Sequence, residues 1–166
     1  IGTAYFAYDA RLMAEMAAAT GREEASRHYR ALFENVAAAF RQTYVADDGR
    51  IAGETQTVYC LALHFGLLTE EQRPLAAKHL VEAIAAKAGH LSTGFVGVSY
   101  LCHVLAEAGY PDVAYALLHK ETFPSWKYSI RHGATTIWER WDGWTEEKGF
   151  QDPGMNSFNH YSLGSV

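Results

Sequence analysis

Apolar residues recur every three or four positions through the first 120 residues, the spacing of one face of an α-helix. The first such stripe predicts a helix with four inward side chains, Tyr5, Tyr8, Leu12 and Met16. Gly21 follows that stripe, as glycine often follows the last turn of a helix. A second stripe predicts a longer helix that ends at Asp47-Asp48-Gly49 and whose inward residues are Tyr29, Leu32, Phe33, Val36, Phe40 and Tyr44.

Four shorter helices are predicted after the second one. A helix over 55–65 is followed by Thr69-Glu70-Glu71-Gln72, whose first and last side chains fit a capping box at the start of a fourth helix. A fifth helix is expected over 96–108, and Pro111 suits the first turn of a sixth. The expected inward residues are Val58, Leu61, Ala62 and Phe65 in the third helix, Leu80, Val81 and Ile84 in the fourth, and Tyr115, Leu117 and Leu118 in the sixth.

The order of elements is therefore helix, short link, helix, repeated about three times. Sustained alternation of apolar and polar residues is missing, so we expect an all-α protein without a sheet core. Paired antiparallel helices in series fit either a solenoid or a closed α/α toroid. The sequence carries no repeat of the tetratricopeptide kind, which favours the toroid.

Length and charge limit the classes of function. The 166 residues carry a net charge of −5 and no basic run, so we expect no nucleic-acid partner. No apolar stretch approaches the roughly 20 residues of a membrane helix, so we expect no membrane partner. The chain starts with Ile1 rather than Met and stops soon after an aromatic segment, which indicates a piece of a longer protein. Whether that protein is cytoplasmic or secreted is left open.

Aromatic and polar residues are concentrated after position 120. All four tryptophans lie within nineteen positions, interleaved with glycines and short polar residues: Trp126, Trp138, Trp141 and Trp144. Such segments make poor core material, because each buried indole N–H or amide needs a hydrogen-bond partner. Aromatic faces and short polar groups together suit the wall of a sugar pocket.

Glu139 is the strongest candidate for a catalytic residue, because it lies between two tryptophans and beside Arg140. Apolar walls disfavour an ionised carboxylate and a neighbouring cation favours it, and this opposition is typical of a tuned general base. The structural alternative is an ordinary ion pair between Glu139 and Arg140.

For the other polar residues and the cysteines, mainly structural roles are expected. Glu54 lies at a predicted helix start, where it would complement the helix dipole or reach a pocket. Asp142 would either orient Arg140 or contact a substrate. Cys60 and Cys102 are expected to pack as small hydrophobic residues. The eight histidines show no ligand spacing, so we expect no metal site and no cofactor.

Four segments resemble the bacterial α-L-rhamnosidases of glycoside hydrolase family 78, in the same order along the chain. They are Thr93-Gly94-Phe95-Val96-Gly97, Phe123-Pro124-Ser125-Trp126, the run from Gly133 to Trp141, and Met155-Asn156-Ser157-Phe158-Asn159-His160-Tyr161. The resemblance covers nearly the whole chain. It implies that residues 1–166 form the C-terminal half of an (α/α)6 catalytic barrel.

The resemblance also implies an activity, the inverting hydrolysis of terminal α-L-rhamnose from rhamnosides. The general base of that family falls on Glu139 and a sugar-pocket histidine falls on His160, with Trp138 and Trp141 as further candidates for the pocket wall. The general acid lies in an Asp/Glu-rich motif upstream of these helices, and this chain has no such motif. We therefore expect the fragment alone to be inactive and to need the remainder of the parent chain.

Two alternatives to a rhamnosidase stay open at this stage. One is an (α/α)6 glycosidase for another sugar. The other is a helical-repeat interaction domain, whose aromatic patch would bind a partner chain. Half of a toroid would also expose the inner faces of its helices, so we expect the isolated piece to self-associate.

Overall fold

The structure is a computed structural model, and it describes residues 1–152, 154 and 157–165. Seven α-helices occur in these ranges: α1 (Gly2–Ala19), α2 (Glu23–Tyr44), α3 (Gln56–His64), α4 (Gln72–Ala85), α5 (Phe95–Glu107), α6 (Pro111–His119) and α7 (Trp126–Arg131). A short antiparallel hairpin, β1 (Trp144–Thr145) and β2 (Gly149–Phe150), and a 3-10 helix (Tyr161–Gly164) complete the described chain. None of the described helices is long and apolar enough to cross a membrane.

The first six helices form three successive pairs, α1 with α2, α3 with α4, and α5 with α6. Short links make each pair antiparallel. Among the first helices of the pairs, α3 contacts α5 directly, and aromatic rings of α1 contact the end of α3. Phe65, which is fully buried at the end of α3, joins them: its ring stacks on Tyr8 at 4.1 Å between centroids and meets Tyr100 edge-on at 5.4 Å.

The predicted stripe of α1 is confirmed only in part. The buried residues of α1 are all small, Ala4, Ala7, Ala10, Ala14 and Ala17. Tyr5 and Tyr8 are half-buried and pack against the core, Leu12 is half-buried, and Met16 is exposed. Alanines let a neighbouring element approach the helix backbone closely, so the buried face of α1 does not need the large residues that the periodicity singles out.

The inward face of the sixth helix is also partly wrong. Tyr115 is 63% exposed, whereas Ala114 and Leu117 are the buried residues. In α2, Phe40 is buried as predicted, but Tyr44 at the end of the helix is 40% exposed. Periodicity places an aromatic residue on a helix face, but whether that face is covered depends on the neighbouring elements.

The predicted helix starts are confirmed by their hydrogen bonds. The Thr69 Oγ1 accepts the N–H of Gln72 at 3.3 Å, and the Gln72 side-chain oxygen accepts the N–H of Thr69 at 3.1 Å. At α3 the cap is Thr55, whose Oγ1 accepts the Val58 N–H at 3.3 Å. Glu54 lies one residue earlier, exposed and in the left-handed region (φ 43°), so its carboxylate is not the cap.

Gln56 holds the link between α4 and α5 in place. Its side chain is almost fully buried, donates to the His90 carbonyl at 3.0 Å and accepts the Ser92 N–H at 2.7 Å. A buried amide with both ends paired fixes the backbone that it touches. This contact sets the path of residues 90–92, which lead directly into the candidate site.

Candidate functional site

A cavity of about 650 Å³ lies where the α4–α5 link, the Phe123–Ser125 turn and the loop after α7 meet. Glu139, Arg140, Trp141 and Asp142 line it from one side. The rest of its wall combines five apolar residues, Leu91, Phe95, Phe123, Pro124 and Leu163, with Gly94 and four polar residues of the link, Lys87, His90, Ser92 and Thr93. The volume lies within the range of small-molecule sites, which are mostly apolar with a few placed polar groups.

The loop that carries Glu139 is tied to the segment that carries His160. The N–H of Glu139 donates to the Ser157 carbonyl at 2.9 Å, and the His160 N–H donates to the Ile137 carbonyl at 2.9 Å. The side chain of Thr136 also bonds the Phe158 carbonyl. These main-chain bonds hold residues 136–139 and 157–160 side by side, although some 20 residues separate them in the sequence.

The Glu139 carboxylate is half-buried and bonded to this neighbouring segment. Its Oε2 accepts the main-chain N–H of Ser157 at 2.7 Å. This short charge-assisted bond fixes the position of the carboxylate in the cavity wall. A fixed carboxylate beside an open volume can accept a proton from a bound water or hydroxyl.

Arg140 pairs with Asp142 rather than with Glu139. Its Nε and Nη2 donate to the two Asp142 carboxylate oxygens, each at 3.0 Å, and its Nη1 lies 3.9 Å from Asp152. The hydrogen bond with Asp142 raises the pKa of Arg140 above its usual value. Among the described ion pairs of Arg140, none involves Glu139, so the ordinary ion pair considered from the sequence is not what the contacts show. Asp142 both orients Arg140 and lines the cavity.

Trp141 and Trp138 occupy different places. Trp141 lines the cavity, meets Trp126 edge-on at 5.3 Å between ring centroids, and donates its indole N–H to the Thr93 carbonyl at 2.8 Å. Trp138 packs edge-on against Phe158 at 5.4 Å and lines a smaller pocket of about 90 Å³. Trp141 therefore lines the cavity together with Glu139. Trp138 lies outside that cavity, in the smaller pocket and against Phe158.

His160 is half-buried and lies against the cavity wall. Its ring stacks on Phe95, with centroids 4.8 Å apart and planes 8° from parallel. Its Nδ1 is buried without a hydrogen-bond partner among the described residues, as is the Oγ1 of Thr93, which lines the cavity. Buried polar atoms are nearly always paired in folded proteins, so each of these two atoms is a candidate for a hydrogen bond to a polar ligand or a water.

Sequence reasoning missed several of these residues. Thr93, Phe95 and Phe123 belong to segments that carry the family resemblance, but nothing in their spacing assigns them to the Glu139 cavity. The Ser157 N–H is a main-chain group and leaves no signal in a sequence. Met155 and Asn156 of the last resembling segment lie outside the described residues. In the part of the chain that the structure describes, no group of three or more His, Cys, Asp or Glu side chains could hold a metal ion.

Comparison with known proteins gives consistent matches over the whole chain. The family model described as the bacterial alpha-L-rhamnosidase 6 hairpin glycosidase domain matches residues 1–166. The alpha-L-rhamnosidase of Streptomyces avermitilis is 51% identical over 166 residues, and one of Formosa agariphila is 46% identical over 168 residues. Each match covers 100% of this chain but only 16% and 18% of those relatives.

Solved structures agree in fold. The crystal structure of the Streptomyces avermitilis alpha-L-rhamnosidase complexed with L-rhamnose superposes with a TM-score of 0.97, covering 100% of this chain and 16% of that one. The native enzyme of Aspergillus terreus gives 0.92 at 35% identity, covering 98% and 19%. The predicted fold class, an all-α portion of an (α/α)6 barrel, is confirmed by these neighbours and by the helix pairs.

Proposed function

The chain belongs to the bacterial alpha-L-rhamnosidase 6 hairpin glycosidase family, and we propose that it is the C-terminal half of the catalytic barrel of an enzyme that hydrolyses terminal α-L-rhamnose from rhamnosides. Three helix pairs are half of the six that such a barrel contains. The remainder of the parent chain would supply the other pairs. Its substrate is a rhamnose-containing glycoside, in keeping with the L-rhamnose complex of the Streptomyces avermitilis relative.

The observation that carries the proposal is the placement of Glu139. Its carboxylate lies in the wall of the 650 Å³ cavity and is held by the Ser157 N–H through Oε2. Trp141 shares that wall, and His160 stacks behind Phe95 with an unpaired buried nitrogen. A helical-repeat interaction domain would expose its tryptophans on a concave surface without a converging carboxylate, so this grouping favours the hydrolase.

In the proposed mechanism Glu139 acts as general base. A water positioned beside the carboxylate gives up a proton to Glu139 as its oxygen attacks the anomeric carbon, and the glycosidic C–O bond breaks on the opposite face of the sugar. The leaving oxygen takes a proton from a carboxylic acid in the remainder of the parent chain. Inverting enzymes keep their two carboxyl groups about 6.5–9.5 Å apart, which leaves room for that water.

His160 and Trp141 would bind the sugar in this scheme. The unpaired Nδ1 of His160 and Oγ1 of Thr93 would pair with sugar hydroxyls, which removes the cost of leaving them buried alone. Trp141 would contact the C–H face of the sugar ring. Trp138, in the adjacent small pocket, would support the loop that carries Glu139.

The test is Glu139→Gln in the full-length enzyme, assayed with p-nitrophenyl α-L-rhamnoside. Removal of a general base lowers kcat by about 100- to 10,000-fold, while the melting temperature and L-rhamnose binding stay near those of the parent. Glu147→Gln, at an exposed position in the β1–β2 turn, is the matched control and keeps full activity. Proton NMR of the first-formed product should show the β-anomer, as inversion requires. A near-normal kcat for Glu139→Gln would exclude Glu139 as the base.

Isolated residues 1–166 are proposed to be inactive and to self-associate. They lack an upstream acid, and α1 leaves large apolar side chains uncovered: Phe6, Met13 and Met16 are 54%, 40% and 54% exposed. In the parent enzyme the other half of the barrel would cover such surface. Light scattering of the purified piece should therefore show oligomers. A clean monomer, or turnover of the rhamnoside that Glu139→Gln abolishes, would contradict this part of the proposal.

A further inference from the structure

Phe95 connects the cavity to His160. It is the first residue of α5, lines the cavity with Glu139 and is 46% exposed. Its ring stacks on the imidazole of His160, with the two planes 8° from parallel and 4.8 Å between centroids. The two residues are 65 positions apart in the sequence, one at the start of a helix and the other near the end of the chain, so only the tertiary structure brings them together.

Among the described residues, Phe95 provides the aromatic ring on which the His160 imidazole packs. The main chain of His160 is held by its N–H bond to the Ile137 carbonyl, but its Nδ1 has no partner among the described residues. Rotation of an imidazole about its last side-chain bond is broad and roughly two-fold. A ring without a hydrogen bond to orient it therefore takes its plane from the surface on which it packs.

We infer that Phe95 is a positioning residue for His160, and this inference rests on the proposed function, in which His160 contacts the sugar. Phe95 holds the imidazole edge in the orientation in which its nitrogen meets a sugar hydroxyl. A stacked aromatic pair contributes enough beyond simple burial to change an affinity by about threefold to tenfold. The contribution belongs to binding, because the imidazole takes no proton in the proposed reaction.

The test is Phe95→Leu in the full-length enzyme, with L-rhamnose titrations and steady-state kinetics on p-nitrophenyl α-L-rhamnoside. The expected result is a threefold to tenfold rise in KM and in the Kd of L-rhamnose, with kcat within about twofold of the parent. Phe95→Tyr keeps the ring face and should restore both values. Tyr115→Leu removes an exposed aromatic ring on α6 outside the cavity and should leave them unchanged.

A double-mutant cycle separates positioning from a merely structural role. In a His160→Ala background, Phe95→Leu should add no further loss of affinity, because its only effect acts through the missing ring. An additive loss, or an unchanged KM for Phe95→Leu, overturns the inference. If Phe95→Leu does not fold, Phe95→Met, which is unbranched and closer in volume, takes its place in the same cycle. If Glu139→Gln and His160→Ala lose activity while the Phe95 variants do not, the positioning role fails and the proposed function stands.

Discussion

Glu139 and Ser157 are joined by two hydrogen bonds of opposite direction. The Ser157 N–H donates to Oε2 of Glu139 at 2.7 Å, and the Glu139 N–H donates to the Ser157 carbonyl at 2.9 Å. The side chain of the candidate base is therefore held by the same residue that pairs with its backbone. A group fixed in this way needs no reorganisation when it accepts a proton, which is the condition for efficient general-base catalysis.

Gly97 allows α3 and α5 to approach closely. A methyl group at this position would lie 2.9 Å from the Thr57 hydroxyl and 3.1 Å from the Thr93 methyl. Gly97→Ala should therefore lower the free energy of unfolding by about 1–3 kcal/mol, as overpacking does, and lower the melting temperature of the parent enzyme. Gly94→Ala is the control, because its added methyl group meets nothing within 4 Å. Equal melting temperatures for the two variants would show that the helices separate at no cost.

The indole N–H of Trp141 pairs with a buried carbonyl. Thr93 is 1% exposed, and its carbonyl accepts this N–H at 2.8 Å. Trp141→Phe keeps an aromatic ring but leaves that carbonyl unpaired, so we expect a loss of about 1–3 kcal/mol in thermal or urea unfolding. Trp144→Phe should cost less, because within the described part of the chain the Trp144 ring contacts His132 without a hydrogen bond from its indole. A larger loss for Trp144→Phe would contradict this assignment.

The Arg140–Asp142 pair should contribute little to stability. Both side chains are about two-fifths exposed, 41% and 43%, so solvent screens their attraction. Arg140→Lys and Asp142→Asn should each change the free energy of unfolding by less than about 1 kcal/mol. The double variant should be no less stable than the worse single one, because the two residues contact each other. Strictly additive losses would mean that each residue stabilises the loop through other contacts.

His64 should make the protein less stable in mild acid. Burial is the main cause that lowers its pKa; Arg11 and His103 act in the same direction, and Glu107 opposes them. Since the unfolded chain binds a proton near pH 6.5 and the folded chain only at lower pH, stability is full above that value. It falls as the pH drops below it and levels off once the folded form is also protonated. His64→Gln should reduce the change in melting temperature between pH 7.5 and pH 5.5. If the melting temperature of His64→Gln depends on pH as strongly as that of the parent, other groups cause the acid sensitivity.

The helices could be predicted from the sequence because their signals are local. Apolar spacing, the Thr69–Gln72 capping box and Pro111 act within one or two turns, and the structure places α4 and α6 accordingly. The buried faces were less predictable. Periodicity marks large residues, but the buried face of α1 consists of alanines, since how closely two elements approach depends on both partners.

The amino-acid sequence alone was enough to predict an all-α architecture, to show the family resemblance and to single out Glu139 and His160. The groups that surround these two residues became known only from the folded chain. It paired Arg140 with Asp142, placed Trp141 in the cavity and Trp138 beside it, and set Ser157 and Phe95 against the two candidates. These contacts could not be predicted because they join segments far apart in the chain and include main-chain groups, which nearly every residue carries and which therefore leave no pattern in a sequence.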